Sequence, residues 1–171
     1  VARFDYFLGS HGFVGVSGAY GSTNQSNAAL GDATLGILDI HGALNFGKTE
    51  VNFLTTQGTM TDTDKILAQT SELVGKKVEG SYVTLKHNIM PYINSGTDQK
   101  LKLFAHYEVM DLHKEVIEGQ TKDKTLDQEL TSVGLNYHID PKTVLKYEYQ
   151  IQSDETGKDY TASKFGVGFV F

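Results

Sequence analysis

Three regularities of the sequence predict an all-β protein, a transmembrane antiparallel β-barrel. Apolar residues recur with period two over segments long enough to cross a bilayer. The connections alternate between short and long. The last segment is an aromatic-rich strand that stops on Phe171. Alternation is the signature of a strand with unlike faces, and long strands with unequal loops at their two ends are the signature of a membrane barrel.

The period is plainest at the end of the chain. Phe165, Val167, Phe169 and Phe171 alternate with Lys164, Gly166, Gly168 and Val170, so one face is apolar and the other small or polar. Alone, this would also suit an edge strand of a soluble sandwich. The earlier segments decide between them. Leu145, Tyr147, Tyr149 and Ile151 oppose Lys146, Glu148, Gln150 and Gln152; Val133, Leu135, Tyr137 and Ile139 oppose Ser132, Gly134, Asn136 and His138. Leu101, Leu103, Ala105, Tyr107 and Val109 oppose Lys102, Phe104, His106, Glu108 and Met110, while Leu38, Ile40, Gly42, Leu44 and Phe46 oppose Asp39, His41, Ala43 and Asn45. A tilted strand of about 9–11 residues crosses a bilayer, whereas soluble strands average about 5–6.

Short connections are expected near 9–12, 47–49 and 139–142, a medium one at 90–99 around Asn94-Ser95-Gly96, and long polar ones near 22–34, 58–76, 112–126 and 153–162. The predicted strands are 2–8, 13–21, 34–46, 50–57, 77–89, 100–111, 127–139, 143–152 and 163–171. Nine is odd, and single-chain bacterial barrels have an even number with both ends in the periplasm. The expectation is therefore one domain over 1–171, the C-terminal portion of a larger barrel of about 16 strands whose N-terminal strands lie outside this sequence. An eight-stranded barrel is the alternative if 1–8 does not span. Residues 64–75 place Ile66, Leu67, Leu73 and Val74 at helical spacing, with Thr63 or Asp64 as cap and Gly75 as stop; this predicts a short extracellular helix on the rim.

Composition agrees. Of 171 residues 39% are hydrophobic, a low share for a soluble core, and glycine is abundant at 18. There is no cysteine, which excludes disulfides and thiolate metal sites. No apolar run approaches the length of a membrane helix, so any crossing must be made by strands. The net charge of −6 argues against a nucleic-acid partner. The chain starts at Val1 with no basic-then-apolar leader ahead of it, so an export signal would be removed or lie outside this sequence.

The stretch Gly134-Leu-Asn-Tyr-His-Ile-Asp-Pro-Lys-Thr-Val-Leu-Lys-Tyr-Glu-Tyr149 resembles the penultimate hairpin of outer-membrane porins of the phosphate-selective O/P type. Leu103-Phe-Ala-His-Tyr-Glu-Val-Met-Asp111 is similar to a strand of that group, as are Val14 to Gly21 and Ile40-His-Gly42. The resemblance covers most of the chain and matches the C-terminal half of such proteins. It implies a water-filled channel in the outer membrane of a Gram-negative bacterium, passing small hydrophilic solutes or ions by passive diffusion. It also implies a homotrimer, contact with outer-membrane lipid, and recognition by the barrel-assembly machinery through the last strand ending at Phe171. His106 stands where the family has arginine. A guanidinium is always charged and a histidine is not, so anion selectivity is not carried over.

In a pore the chemistry is selection by lining charges. The candidate lining residues are Arg3, Asp39, His41, Lys86, Lys102, His106, Glu108, Lys146, Glu148 and Lys164, with Asp5, Glu50 and His138 on the same parity. Both signs are present, so these charges either set up a transverse field for selectivity or pair with one another and stiffen the wall. The candidate lipid-facing residues are Leu135, Tyr137, Leu145, Tyr147, Tyr149, Phe165, Phe169 and Phe171. His87 falls on the same parity near a periplasmic end, where Tyr or Trp is usual, and is expected at the headgroup level. Asp39 and His41 could ligate a metal, but spacing supplies no third ligand; no metal or cofactor is expected. No catalytic triad assembles by spacing, so an enzyme is not expected. The alternative to a channel is a structural barrel that sheathes or anchors a partner protein, which conductance would distinguish.

Overall fold

The computed structural model describes residues 1–170 as one antiparallel sheet of nine strands. They are β1 (Ala2–Phe7), β2 (Gly12–Ser22), β3 (Thr34–Phe46), β4 (Thr49–Met60), β5 (Lys77–Asn88), β6 (Lys100–Glu115), β7 (Asp127–His138), β8 (Thr143–Asp154) and β9 (Asp159–Phe169). Each pairs only with its neighbours in sequence, so the order is a plain meander with β1 and β9 as the two edges. All nine expected strands are present, including β1. Phe171 lies outside the described residues.

Antiparallel partners share a face, so the register decides which side each residue occupies. The row Phe46, Thr49, His87, Leu103, Leu135, Tyr147 and Phe165 runs unbroken from β3 to β9 on one side. One residue away on β5, the row Asn45, Glu50, Lys86, Phe104, Gly134, Glu148 and Lys164 runs on the other. Nothing covers either side. Glycines aside, the only buried residues among those described are Ala33, Thr63, Met90, His113 and Ser132, and most of them serve the loops rather than a core. Large side chains stand open on the apolar side, with Phe165 at 83% and Leu38 at 61% exposure.

Several strands run further than the period-two pattern suggested. β6 reaches Glu115 and β4 reaches Met60, three or four residues past the expected ends at 111 and 57. The last connection was expected to be long, at 153–162, and is a tight turn over 155–158. Asp154 closes it by accepting from the Thr156 N–H at 2.8 Å and from the Thr156 hydroxyl, while Gly157 takes φ 81°, a conformation open to glycine. Strict alternation of loop length therefore fails twice: at the final hairpin, and at 89–99, which is as long as 23–33 and 116–126. The connections at 23–33, 61–76 and 116–126 remain long.

The 61–76 connection forms the expected helix, shorter than its apolar spacing suggested. Helix α1 spans Thr63–Thr70 with Asp62 at its N-cap and stops at Ser71, whose φ of 59° cannot continue a helix. The Thr70 hydroxyl bonds the Ile66 carbonyl at 2.8 Å, so Gly75 plays no part in the stop. α1 lies against the turn at Ala28–Leu30 of the preceding long connection. Asp62 makes that join: its carboxylate accepts from the Asp32 N–H at 3.1 Å and pairs with Lys65 at 2.7 Å. Gly31, at φ 64°, passes so close that a Cβ there would lie 2.8 Å from the Asp62 carboxylate. Loops 61–76 and 116–126 are joined by His113, buried at 5% exposure. Its Nε2 donates to the Leu73 carbonyl at 3.1 Å and its Nδ1 accepts from the Asp123 N–H at 3.1 Å, which fixes the neutral ring in one tautomer.

The Lys65 ammonium and the Asp32 N–H hold the Asp62 carboxyl below its ordinary value of 3.8. A lowered folded-state pKa supplies stability at pH above 3.8, and that stability is lost as the pH falls through the folded value. Loops 23–33 and 61–76 should therefore come apart in acid before the sheet does. Protease cleavage of these loops followed against pH checks this; Asp62→Asn should abolish the step, and an unchanged profile in that variant would dissociate Asp62 from it.

Candidate functional site

The polar side of the sheet carries the titratable groups in two zones. The first spans β1 to β3. Arg3 Nε donates to the two oxygens of Asp5 at 3.0 and 2.9 Å. Asp5 Oδ1 lies 3.1 Å from His41 Nε2, and His41 Nδ1 lies 2.6 Å from Asp39 Oδ1. The Ser17 hydroxyl donates to the other oxygen of Asp39. The register explains the assembly: Arg3 pairs with Ser17 and Ser17 with Asp39, while Asp5 pairs with Gly15 and Gly15 with His41. Gly15 leaves the gap that the Asp5–His41 contact fills, since a Cβ there would lie 2.1 Å from Asp5 and 2.6 Å from the imidazole. Phe13 roofs the group, edge-on to His41 at 6.0 Å and beneath the Arg3 guanidinium at 5.7 Å.

Both ring nitrogens of His41 are turned to carboxylates. The arrangement is a closed hydrogen-bonded chain from Arg3 to Ser17. Asp5 is the third side chain that spacing could not supply for Asp39 and His41, yet neither ring nitrogen is left free for a metal. Among the described residues no group of three or more His, Asp or Glu side chains is placed to hold a metal ion.

The second zone spans β4 to β9 towards the end with the 47–48 and 139–142 turns. Lys102 pairs with Glu50 across three strands. Lys86 and Lys100 also act on Glu50 through space, and Lys100, Lys102 and Lys146 surround His138. Among the described residues Lys86, Lys146 and Lys164 form no ion pair within 4 Å. In this zone Lys86, Lys100, Lys102, Lys146 and Lys164 outnumber the carboxylates Glu50 and Glu148. Glu148 pairs in register with Lys164 and accepts from Gln150 at 3.0 Å.

The first zone borders a groove of about 590 Å³: Arg3, Asp39 and His41 line one part of it, and Asn52, Leu54, Tyr82, Thr84 and His106 another. His106 is held by the Thr84 hydroxyl at 2.7 Å and by Glu108 at 3.2 Å.

All ten candidate lining residues fall on this one side of the sheet, and every described candidate of the apolar set falls on the other. Arg3, Asp39 and His41 are brought together, as are His106 and Glu108, while the two zones stay apart. Sequence reasoning missed Ser17, Tyr82, Thr84 and Lys100. Ser17, Tyr82 and Thr84 are neutral and give no signal until the register shows which charged or ring group they touch, and Lys100 stands at the first position of its strand, where alternation is not yet established.

No protein-family model matches this chain, and no solved structure matches it. It is similar to an uncharacterised protein of Aquifex aeolicus (strain VF5), 25% identical over 179 residues, covering 99% of this chain and 40% of that relative. The chain thus spans two-fifths of the length of the relative it matches.

Removing the ring at the centre of the first zone should leave two carboxylates facing each other. His41→Ala is expected to lower stability by roughly 2 kcal/mol, the scale of the charged hydrogen bonds lost. The loss should be clearly smaller when Asp39→Asn is already present. Urea titration of the four proteins of this cycle measures the coupling; equal losses in both backgrounds would mean the contacts contribute independently.

Proposed function

We propose that the chain forms part of the wall of an outer-membrane β-barrel, a porin-like channel through which small hydrophilic solutes or ions diffuse passively. The observation that carries this reading is the sorting of the two faces of an uncovered sheet. Most charged side chains gather on one side, with a few apolar ones such as Phe13, Leu54 and Phe104 among them, and exposed Phe, Tyr, Leu and Val dominate the middle of the other. A sheet with water on both sides gains nothing from such an apolar face. A sheet with lipid outside and water inside needs it.

Dimensions support the same reading. On β6 the apolar stretch runs from Leu101 to Val109. Its length is about 26 Å along the strand and about 20 Å after tilting, close to the apolar band of membrane barrels. Towards the long loops the apolar side turns polar: the Ser81 hydroxyl bonds Thr55 at 2.8 Å and Gln57 bonds Glu79 at 3.2 Å. The two free edges fit membership of a larger closed barrel, because unpaired strand edges are not tolerated in lipid. The resemblance to porins of the O/P type and the two-fifths coverage of the Aquifex relative agree with that larger size.

Single-channel recording of the full-length protein in a planar bilayer under a salt gradient tests the function. Discrete conductance steps are expected. Lys102→Glu should move the reversal potential towards cation selectivity, because it replaces the cation of the second zone beside Glu50; no change would remove Lys102 from the conducting path. A folded protein without conductance would overturn the channel.

The assignment of faces has its own test. Leu135→Arg on the apolar side should cost about 2–4 kcal/mol of folding stability in lipid, as for an arginine near the middle of a bilayer. Phe104→Arg, on the opposite side, should cost less. Refolding into lipid vesicles against urea reads both, and equal costs would refute the assignment.

A further inference from the structure

The apolar side has a gap in its aromatic trim at the end with the short turns. Phe46, Tyr137 and Phe169 stand there on β3, β7 and β9, while β5 presents His87. The connection 89–99 fills that gap from outside the sheet. Its first part forms one helical turn, α2 (Met90–Ile93), held by Asn88, whose side-chain oxygen accepts from the Met90 N–H at 3.3 Å and from the Leu101 N–H at 3.1 Å. The far end of the connection is tied to the sheet by Tyr137, whose hydroxyl donates to Gln99 at 2.8 Å. Met90 is turned inward and buried. Tyr92 and Ile93 are turned outward at 67% and 66% exposure.

Tyr92 is not loose. Its ring stacks on His87 with centroids 5.8 Å apart and planes 16° apart, and His87 is itself held by Thr49 at 2.8 Å. The Lys48 ammonium, from the neighbouring turn, sits 4.0 Å above the Tyr92 ring centre. Two connections at the same end thus meet over one aromatic residue. The product is an outward-facing patch with an apolar tip (Ile93), an amphipathic ring and a cation beside it. That sequence of groups matches the order of layers at a membrane surface, from acyl chains through the interface to lipid phosphate.

We propose that α2 and Lys48 form an anchor that seats in the boundary between acyl chains and headgroups of a lipid bilayer, with Tyr92 and Ile93 among the upper acyl segments and Lys48 at lipid phosphate. The proposal rests on the membrane reading above and assigns the 89–99 connection a lipid contact rather than a role as a plain turn. It also accounts for the length of that connection, because a direct turn from β5 to β6 could not bring a ring to His87 from outside.

The chain has no tryptophan, so a single introduced one reports its own depth. The full-length protein, with any tryptophan elsewhere in it replaced, is reconstituted in phosphatidylcholine–phosphatidylglycerol vesicles carrying bromines either near the headgroup or deep in the acyl chain. Tyr92→Trp and Ile93→Trp should both emit at shortened wavelength. Both should be quenched more by shallow than by deep bromines, and little by aqueous acrylamide. Leu85→Trp, well within the apolar side, should be quenched more by deep bromines. Adding Lys48→Glu to Tyr92→Trp should weaken shallow quenching and raise quenching by acrylamide. If Leu85→Trp reports depth while Tyr92→Trp and Ile93→Trp are open to acrylamide and untouched by bromines, the anchor fails and the membrane reading stands. If Leu85→Trp is also untouched in a protein that retains its strand circular dichroism, the membrane reading fails and the anchor with it.

Discussion

The structure depends on one constraint: a single-layer sheet has no second layer against which to hide a face. In most β proteins two sheets, or a sheet and helices, bury a shared core. Here the described residues offer no such partner, and the few buried side chains lie mainly where loops meet. Each face must then be compatible with whatever fluid lies against it. Period two, carried across eight registers with an irregularity between Lys77 and Glu79, keeps the lining charges of these strands on one face, and one misaligned strand would turn its charges to the other.

On the polar face, charge is organised by strand pairing more than by sequence distance. Arg3, Asp5, Asp39 and His41 close on each other because β1, β2 and β3 bring them into adjacent rows around a glycine. Lys86, Lys100 and Lys102, towards the short turns, have Glu50 as their shared neighbour. One part of the face is thus tied together by its own hydrogen bonds, and another keeps lysines, Lys86, Lys146 and Lys164, outside any close ion pair among the described residues. The question left open by the sequence, whether the charges pair or remain available, has both answers on the same wall.

The existence and parity of every strand were legible, since the signal needs only alternation, which Leu145 to Ile151 or Leu101 to Val109 carry without help from neighbours. The boundaries were less legible. β6 continues through Leu112 and His113 to Glu115 after the alternation fades, because pairing with Lys77 and loop contacts through His113 hold it there. The helix at Thr63–Thr70 was readable from its apolar spacing, but its end was not. Ser71 stops it in a left-handed conformation that its residue type does not advertise. The turn α2 was missed because Met90-Pro-Tyr-Ile is too short for any period; Pro at its start is the local hint. The candidate site divided in the same way. The side on which each charge lies was readable, and which charge meets which was not, because that depends on register across strands as far apart in sequence as Asp5 and His41.

The meander order has a consequence for how such a wall can be built and altered. Every strand touches only the strands made just before and just after it, so ordering can spread from hairpin to hairpin without waiting for distant segments of the chain. The same adjacency makes the sheet modular. Removing or duplicating a hairpin would change the circumference of a closed wall by two strands while leaving the register of the other pairs intact. Size in this architecture is therefore a matter of counting hairpins, and it can change in a single genetic step without redesign of the remaining surface.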